Sequence, residues 1–200
     1  MPQPSLLAVF AHPDDESLSS GGVLARHAAA GARTAVVTAT WTPDTGRGAE
    51  LAEALRILGA GEPRMLDAPL DEAVGRLVAH IRQFRPQIVV THDAYGGVTG
   101  HPDHVHTHRV TTLAFQASGL ERLYPDAGSP WQPSSLYLAT HPHSALGAPV
   151  LAHRSEVERG AAPGLLAGFA RDVRERFLST EWYIRQDAVP SVSAQTELTP

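Results

Sequence analysis

A doubly wound α/β domain is what this chain of 200 residues predicts, on three observations. Short, continuously apolar runs such as Leu6-Leu7-Ala8-Val9-Phe10 suit strands buried on both faces of a parallel sheet. These runs alternate with stretches of helical period, so successive strands must be joined by right-handed crossovers. Glycine or proline stands where several of the helical stretches should stop. The expected fold is Rossmann-like: a mostly parallel sheet with helices on both faces.

The elements follow in order. After the first strand comes a polar turn, His12 to Glu16, then a helix from about Leu18 to Ala30, with Gly31 in the helix-ending position. Thr34 to Thr40 is a second buried strand, rich in β-branched residues. Glu50 to Leu58 carries Leu51, Leu55 and Leu58 on one stripe and closes at Gly59. Arg64-Met65-Leu66 reads as a short third strand. Leu70 to Phe84 places Leu70, Val74, Leu77, Val78, Ile81 and Phe84 on one helical face. Pro86 stops it, and Gln87 to Thr91 is a further buried strand. A helix over Pro102 to Ala117 and a strand over Leu136 to Ala139 extend the series. A loop rich in Gly, Pro and Ala covers His141 to Pro163, and Leu166, Phe169, Val173 and Phe177 then mark an amphipathic helix. The reading is one domain over residues 1–200: a core at 5–140, an extension with a helix at 141–187, and a loose tail at 188–200.

Composition narrows the chemistry. Cysteine is absent, which excludes disulfides, thiolate metal sites and cysteine nucleophiles. Lysine is absent too, which excludes Schiff-base chemistry and lysine-dependent phosphate loops. A formal charge of -5 argues against a nonspecific nucleic-acid binder. The apolar run Leu6 to Ala11 is too short for a leader, no stretch is long enough to span a membrane, and the absence of cysteine fits an expected cytoplasmic protein. The unusual feature is 11 histidines.

Two polar clusters fall where ligands bind in such sheets, at strand carboxyl ends. One is Ala11-His12-Pro13-Asp14-Asp15-Glu16 and the other Gly100-His101-Pro102-Asp103-His104. Two imidazoles and a carboxylate form a ligand set for a catalytic zinc that keeps one position open. The spacing of His12 and Asp15 brings both to one side of a tight turn, and His104 can supply the third ligand. Asp14, between them, points differently and can serve as a base. Pro102 suits a first helical turn, which leaves His101 just outside it, facing the open position. Other readings stand beside these. Asp14-Asp15-Glu16 also suits an N-terminal cap. His108 shares a helical face with His104 and is a rival ligand. His106 belongs on a helix surface, His141 and His143 suit the surface or the cleft rim, and His27, His80 and His153 suit structural or solvent-facing positions.

With Gly21-Gly22, these two clusters resemble the LmbE-like (PIG-L) zinc N-deacetylases, which act on N-acetylglucosaminyl conjugates. Gly100 to His108 with Val110-Thr111-Thr112, and Glu181-Trp182-Tyr183-Ile184-Arg185, are especially similar to the mycothiol-biosynthesis members. The resemblance covers roughly residues 5–185. It implies His12, Asp15 and His104 as ligands of Zn(2+), with Fe(2+) as another candidate metal. It implies Asp14 as general base, His101, in cationic form, as the stabiliser of the tetrahedral intermediate, Arg47 as a binder of substrate hydroxyls, and Asp103 as an orienter of a neighbouring ligand. The implied reaction is hydrolysis of the acetamide of an N-acetyl amino-sugar conjugate. The implied partner is that small molecule, with no nucleic acid and no membrane, and with a homo-oligomer left open. The rival readings are an amidase acting on another conjugate and a non-catalytic sugar-binding protein. A nucleotide-binding protein ranks last, because no Gly-x-Gly-x-x-Gly run follows the first strand. The sequence departs from the mycothiol-pathway members at Thr99, where they carry a tyrosine for which Tyr95 is the candidate substitute. It is also shorter than they are between Trp41 and Leu70.

Overall fold

Strand β1 (Leu6–Phe10) is buried along its whole length and divides its side chains between two cores. Leu7 and Val9 enter one, while Leu6, Ala8 and Phe10 enter the other. This is why the run is apolar without alternation: successive side chains point to opposite faces, and both are covered. The computed structural model describes residues 3–40, 46–66, 68, 70–97, 100–141, 168–177 and 179–188.

β2 (Thr34–Thr38) and β4 (Ile88–His92) flank β1, both parallel to it, with β3 (Pro63–Met65) outside β2 and β5 (Ser135–His141) outside β4. β6 (Trp182–Asp187) pairs antiparallel with β5 and completes a six-stranded sheet of order β3-β2-β1-β4-β5-β6. One face is covered by α2 (Gly21–Ala29) through Leu24 and by α3 (Gly46–Leu58) through Leu51, Leu55 and Leu58. The other is covered by α4 (Leu70–Phe84), with Leu77, Val78 and Ile81, and by α5 (Pro102–Ser118), with Val110, Ala114 and Phe115. Strand order reverses between β1 and β4, so the crevice at their carboxyl ends is the place for a ligand.

The structure modifies the sequence reading in four places. The single helix expected over 18–30 is two, α1 (Asp15–Ser19) and α2, separated at Ser20. The Ser20 N–H closes α1 on the Glu16 carbonyl, while the Ser20 carbonyl opens α2 by accepting from Leu24. α3 begins at Gly46, a turn earlier than expected, and this brings Arg47 into the helix. Trp182 to Arg185, which shows no clean alternation, supplies most of β6. The late helix is α6 (Arg171–Phe177), and Phe169 and Val173 are 44% and 39% exposed rather than packed. Leu166, His143, His153 and Thr99 lie outside the described residues, as do most of the 141–163 loop and most of the tail.

Candidate metal centre

The two clusters meet because β1 and β4 are neighbours in parallel register, with Val9 opposite Thr91. The first residues past each strand therefore emerge side by side. The Ala11 N–H donates to His92 Nε2 at 3.3 Å, joining the two strand ends directly.

Asp15 is the hub. Its Oδ2 accepts from the His12 N–H at 2.8 Å and lies 3.3 Å from His12 Nδ1 and 3.4 Å from His92 Nε2. Its Oδ1 lies 3.2 Å from His104 Nε2. Burial pushes the Asp15 carboxyl up, but its contacts with His104, His12 and His92 outweigh burial and hold it well below the usual carboxylate range. Burial lowers His12 and His104 as well, and again the facing Asp15 wins and raises both. In His92 burial prevails, and its pKa is lowered.

The loop after β4 sets the orientation of His104. Asp93, buried at the strand end, accepts from the N–H groups of Tyr95 at 3.0 Å and Gly97 at 2.8 Å. That turn presents the Gly96 carbonyl to His104 Nδ1 at 3.1 Å. A carbonyl only accepts, so Nδ1 carries a proton, and Nε2, an acceptor when the ring is neutral, faces Asp15 Oδ1. Two acceptors at 3.2 Å need a proton or a cation between them. Tetrahedral zinc, with bonds of about 2.1 Å, sets its donor atoms about 3.4 Å apart. The Asp15 contacts to His12 and His104 are close to that spacing, one through Oδ2 and the other through Oδ1. Two donor groups, His12/His101/His104 and Asp15/His92/His104, each hold their ligand atoms within 4.8 Å of one another. The expected trio His12, Asp15 and His104 is thus divided between two groups that share His104, and each group offers donors suited to a divalent cation.

The remaining predicted residues surround this cluster. Asp103 Oδ2 is 3.0 Å from His12 Nε2, so the second motif orients a ring of the first. The Asp103 N–H donates to His101 Nδ1 at 3.1 Å as His101 caps α5. This bond to Nδ1 leaves Nε2 as the ring nitrogen that can donate outward. Asp14 occupies the cap position of α1, but its side chain makes no capping bond. Its Oδ2 lies 3.4 Å from Arg47 Nη2, and the same nitrogen donates to the Pro13 carbonyl. Arg47 is 7% exposed, so it belongs to the site's interior. His108 Nδ1 donates to the His92 carbonyl at 2.9 Å, which ties the rival ligand to the β4 backbone.

Sequence reasoning passed over His92, 2% exposed and stacked on His104 with ring centroids 4.0 Å apart. It passed over Asp93 as well. Both follow directly on Gln87 to Thr91, and the strand-end rule applied to that run would have marked them.

The PIG-L family, described as GlcNAc-PI de-N-acetylase, matches residues 7–115. This chain belongs to that family. The match spans β1 through most of α5 and contains every donor in the cluster. Among curated relatives, the 1D-myo-inositol 2-acetamido-2-deoxy-alpha-D-glucopyranoside deacetylase of Rhodococcus opacus (strain B4) is 38% identical over 192 residues, 74% of this chain and 65% of the relative. The chain thus spans just under two thirds of that relative's length. A conserved protein of Thermus thermophilus matches in structure with TM-score 0.67 and 26% identity, over 98% of this chain and 100% of its own. The 4-carboxy-2-hydroxymuconate hydratase of Pseudomonas putida KT2440 matches with TM-score 0.62 and 18% identity, over 98% and 100%. The fold therefore serves more than one reaction, and the reaction of this PIG-L chain has to be argued from its residues.

Proposed function

We propose that this protein is a metal-dependent N-deacetylase that hydrolyses the acetamide of an N-acetyl amino-sugar conjugate. The observation that carries the proposal is the divergence of two adjacent carboxylates: Asp15 faces His12, His92 and His104, while Asp14 turns to Arg47. One is committed to a cation and the other is kept for protons. His12, Asp15 and His104 would hold the metal. Zinc suits that set, and ferrous iron is the competing candidate. A divalent cation there supplies Lewis acidity, polarising the amide carbonyl and lowering the pKa of water.

The chain's own residues do the rest. Asp14 takes the proton of the attacking water and delivers it to the departing amine. Arg47 steadies the Asp14 carboxylate and binds substrate hydroxyls. The His101 Nε2–H donates to the oxygen that gains charge as the carbonyl becomes tetrahedral. Asp103 fixes the His12 and His101 rings from behind. The inositol-linked acetamido sugar in the name of the 38%-identical relative makes such a glycoside the first substrate to try. A cytoplasmic location fits a chain without cysteine. Among the described residues no helix is long and apolar enough to cross a membrane.

The test is amine release from N-acetylglucosamine, its inositol conjugate and its malate conjugate, with metal content measured alongside. Asp14→Asn should keep its metal and lose on the order of 10²–10⁴-fold in turnover. Wild-type turnover by that variant would remove Asp14 from the mechanism. Sugar binding without acetate release by the metal-loaded wild type would favour a binding protein.

A further inference from the structure

Asp14 has a backbone conformation that side-chain-bearing residues rarely adopt, φ 137° and ψ -29°. Its carbonyl is committed to the first turn of α1, accepting from Ser17 at 3.1 Å and Leu18 at 3.0 Å. Its N–H then points into the protein, and Glu16 Oε2 accepts from it at 3.0 Å. Glu16 is wholly buried, and the Ser17 hydroxyl donates to its Oε1 at 2.6 Å, which holds the carboxylate in place. A buried N–H without an acceptor is costly, so this bond and the positive φ support each other. The Asp14 side chain faces Arg47, while that of Asp15 faces His12 and His104.

We infer that Glu16 is a positioning residue for the base: its carboxylate captures the Asp14 N–H and so aims the Asp14 side chain at the reacting water instead of the metal. Glu16 itself touches no substrate. The inference rests on the reading of Asp14 as base, and it adds a task for the last residue of the motif beyond helix capping.

Two replacements of similar size separate the hydrogen bond from packing. Glu16→Gln keeps an oxygen for the Asp14 N–H, whereas Glu16→Met fills the space with no acceptor. Amide hydrogen exchange at Asp14 should be slow in wild type and Glu16→Gln and at least tenfold faster in Glu16→Met. For Glu16→Met, kcat should fall about 10–100-fold, with KM and metal content unchanged, because a misplaced base costs turnover rather than binding. Glu16→Gln should return to within about threefold of wild type. Wild-type kcat in Glu16→Met, or equal losses in both variants, would overturn the inference. Failure of the underlying reading would appear separately, as an active Asp14→Asn.

Discussion

Arg82, near the end of α4, has no carboxylate in its grip among the described residues: its guanidinium donates to six backbone carbonyls. Nε reaches Ser118 at 3.1 Å, Nη1 reaches Tyr124 at 2.6 Å and Gly128 at 3.1 Å, and Nη2 reaches Ala117 at 3.4 Å, Leu120 at 2.9 Å and Leu123 at 2.8 Å. The side chain is 3% exposed, so the charge is offset by carbonyl dipoles at the end of α5 and in the turn beyond it. Arg82→Met keeps the stem and removes every donor. The carbonyls of Leu120, Leu123, Tyr124 and Gly128 belong to exposed residues and can turn to water, whereas Ala117 and Ser118 are buried and keep backbone donors, the Leu120 N–H at 3.0 Å and the Trp131 N–H at 2.9 Å. Losing the charge-assisted bond at each of these two buried carbonyls, about 1.5–3 kcal/mol apiece, less the relief of no longer burying a cation, gives a loss of about 2–4 kcal/mol. For a domain of this size that is about 4–16 °C in Tm. Urea unfolding of metal-loaded protein measures it, and Arg82→Lys, with three donors, should fall between. α5 has 17 residues, so its carboxyl end lies about 25 Å from the candidate metal site at its start. Activity per folded molecule should therefore be unchanged. An Arg82→Met protein within about 0.5 kcal/mol of wild type would refute the view that this cation organises the turn.

Two further outcomes follow from the structure. Gly96 has φ +80°, and a Cβ there would meet Val105 Cγ2 at 3.0 Å and the Gly100 backbone at 3.2 Å, so Gly96→Ala must displace the carbonyl that orients His104. Its metal affinity, read by chelator competition, should fall about 10–100-fold, and an unchanged affinity would mean that the loop does not set the ligand. Glu181 spans the chain to accept from Gly22 at 2.6 Å and Val23 at 3.0 Å, and burial, outweighing these bonds, raises its pKa. A carboxyl whose folded pKa lies above its unfolded one contributes stability fully at low pH and loses it as pH rises through the folded value. Glu181→Ala should therefore cost most stability near pH ~4 and less at neutrality, and a cost that grew with pH would contradict the assignment.

Much of the fold was legible because it rests on short-range terms. β1 reads as an apolar run because both its faces are buried, and α4 runs from Leu70 to Phe84 as its period and Pro86 require. Pro102 marks the start of α5 for the same local reason, a φ already suited to a first turn. The two histidine motifs could be placed at strand ends, since composition and turn chemistry mark them without reference to distant residues. The break at Ser20 was not legible, since the bonds on either side of it are ordinary helix bonds and Glu181, which receives α2, comes from far along the chain. β6 was hidden because a one-sided edge strand, with Trp182 at 58% and Ile184 at 49% exposure, lacks the apolar signature of a buried one.

By itself, the sequence determined the layers, the strand ends that carry imidazole and carboxylate, and the chemistry that arginine without cysteine or lysine leaves available. Only the tertiary structure decided which groups meet: His92 against His104, Asp103 against His12, Arg82 inside a cage of carbonyls. The physical reason is one of range. Period, caps and turns are set by neighbours a few residues apart. The partner of a buried charge or imidazole is set by whichever distant backbone or side chain packing brings within about 3 Å of it, and no local pattern records that choice.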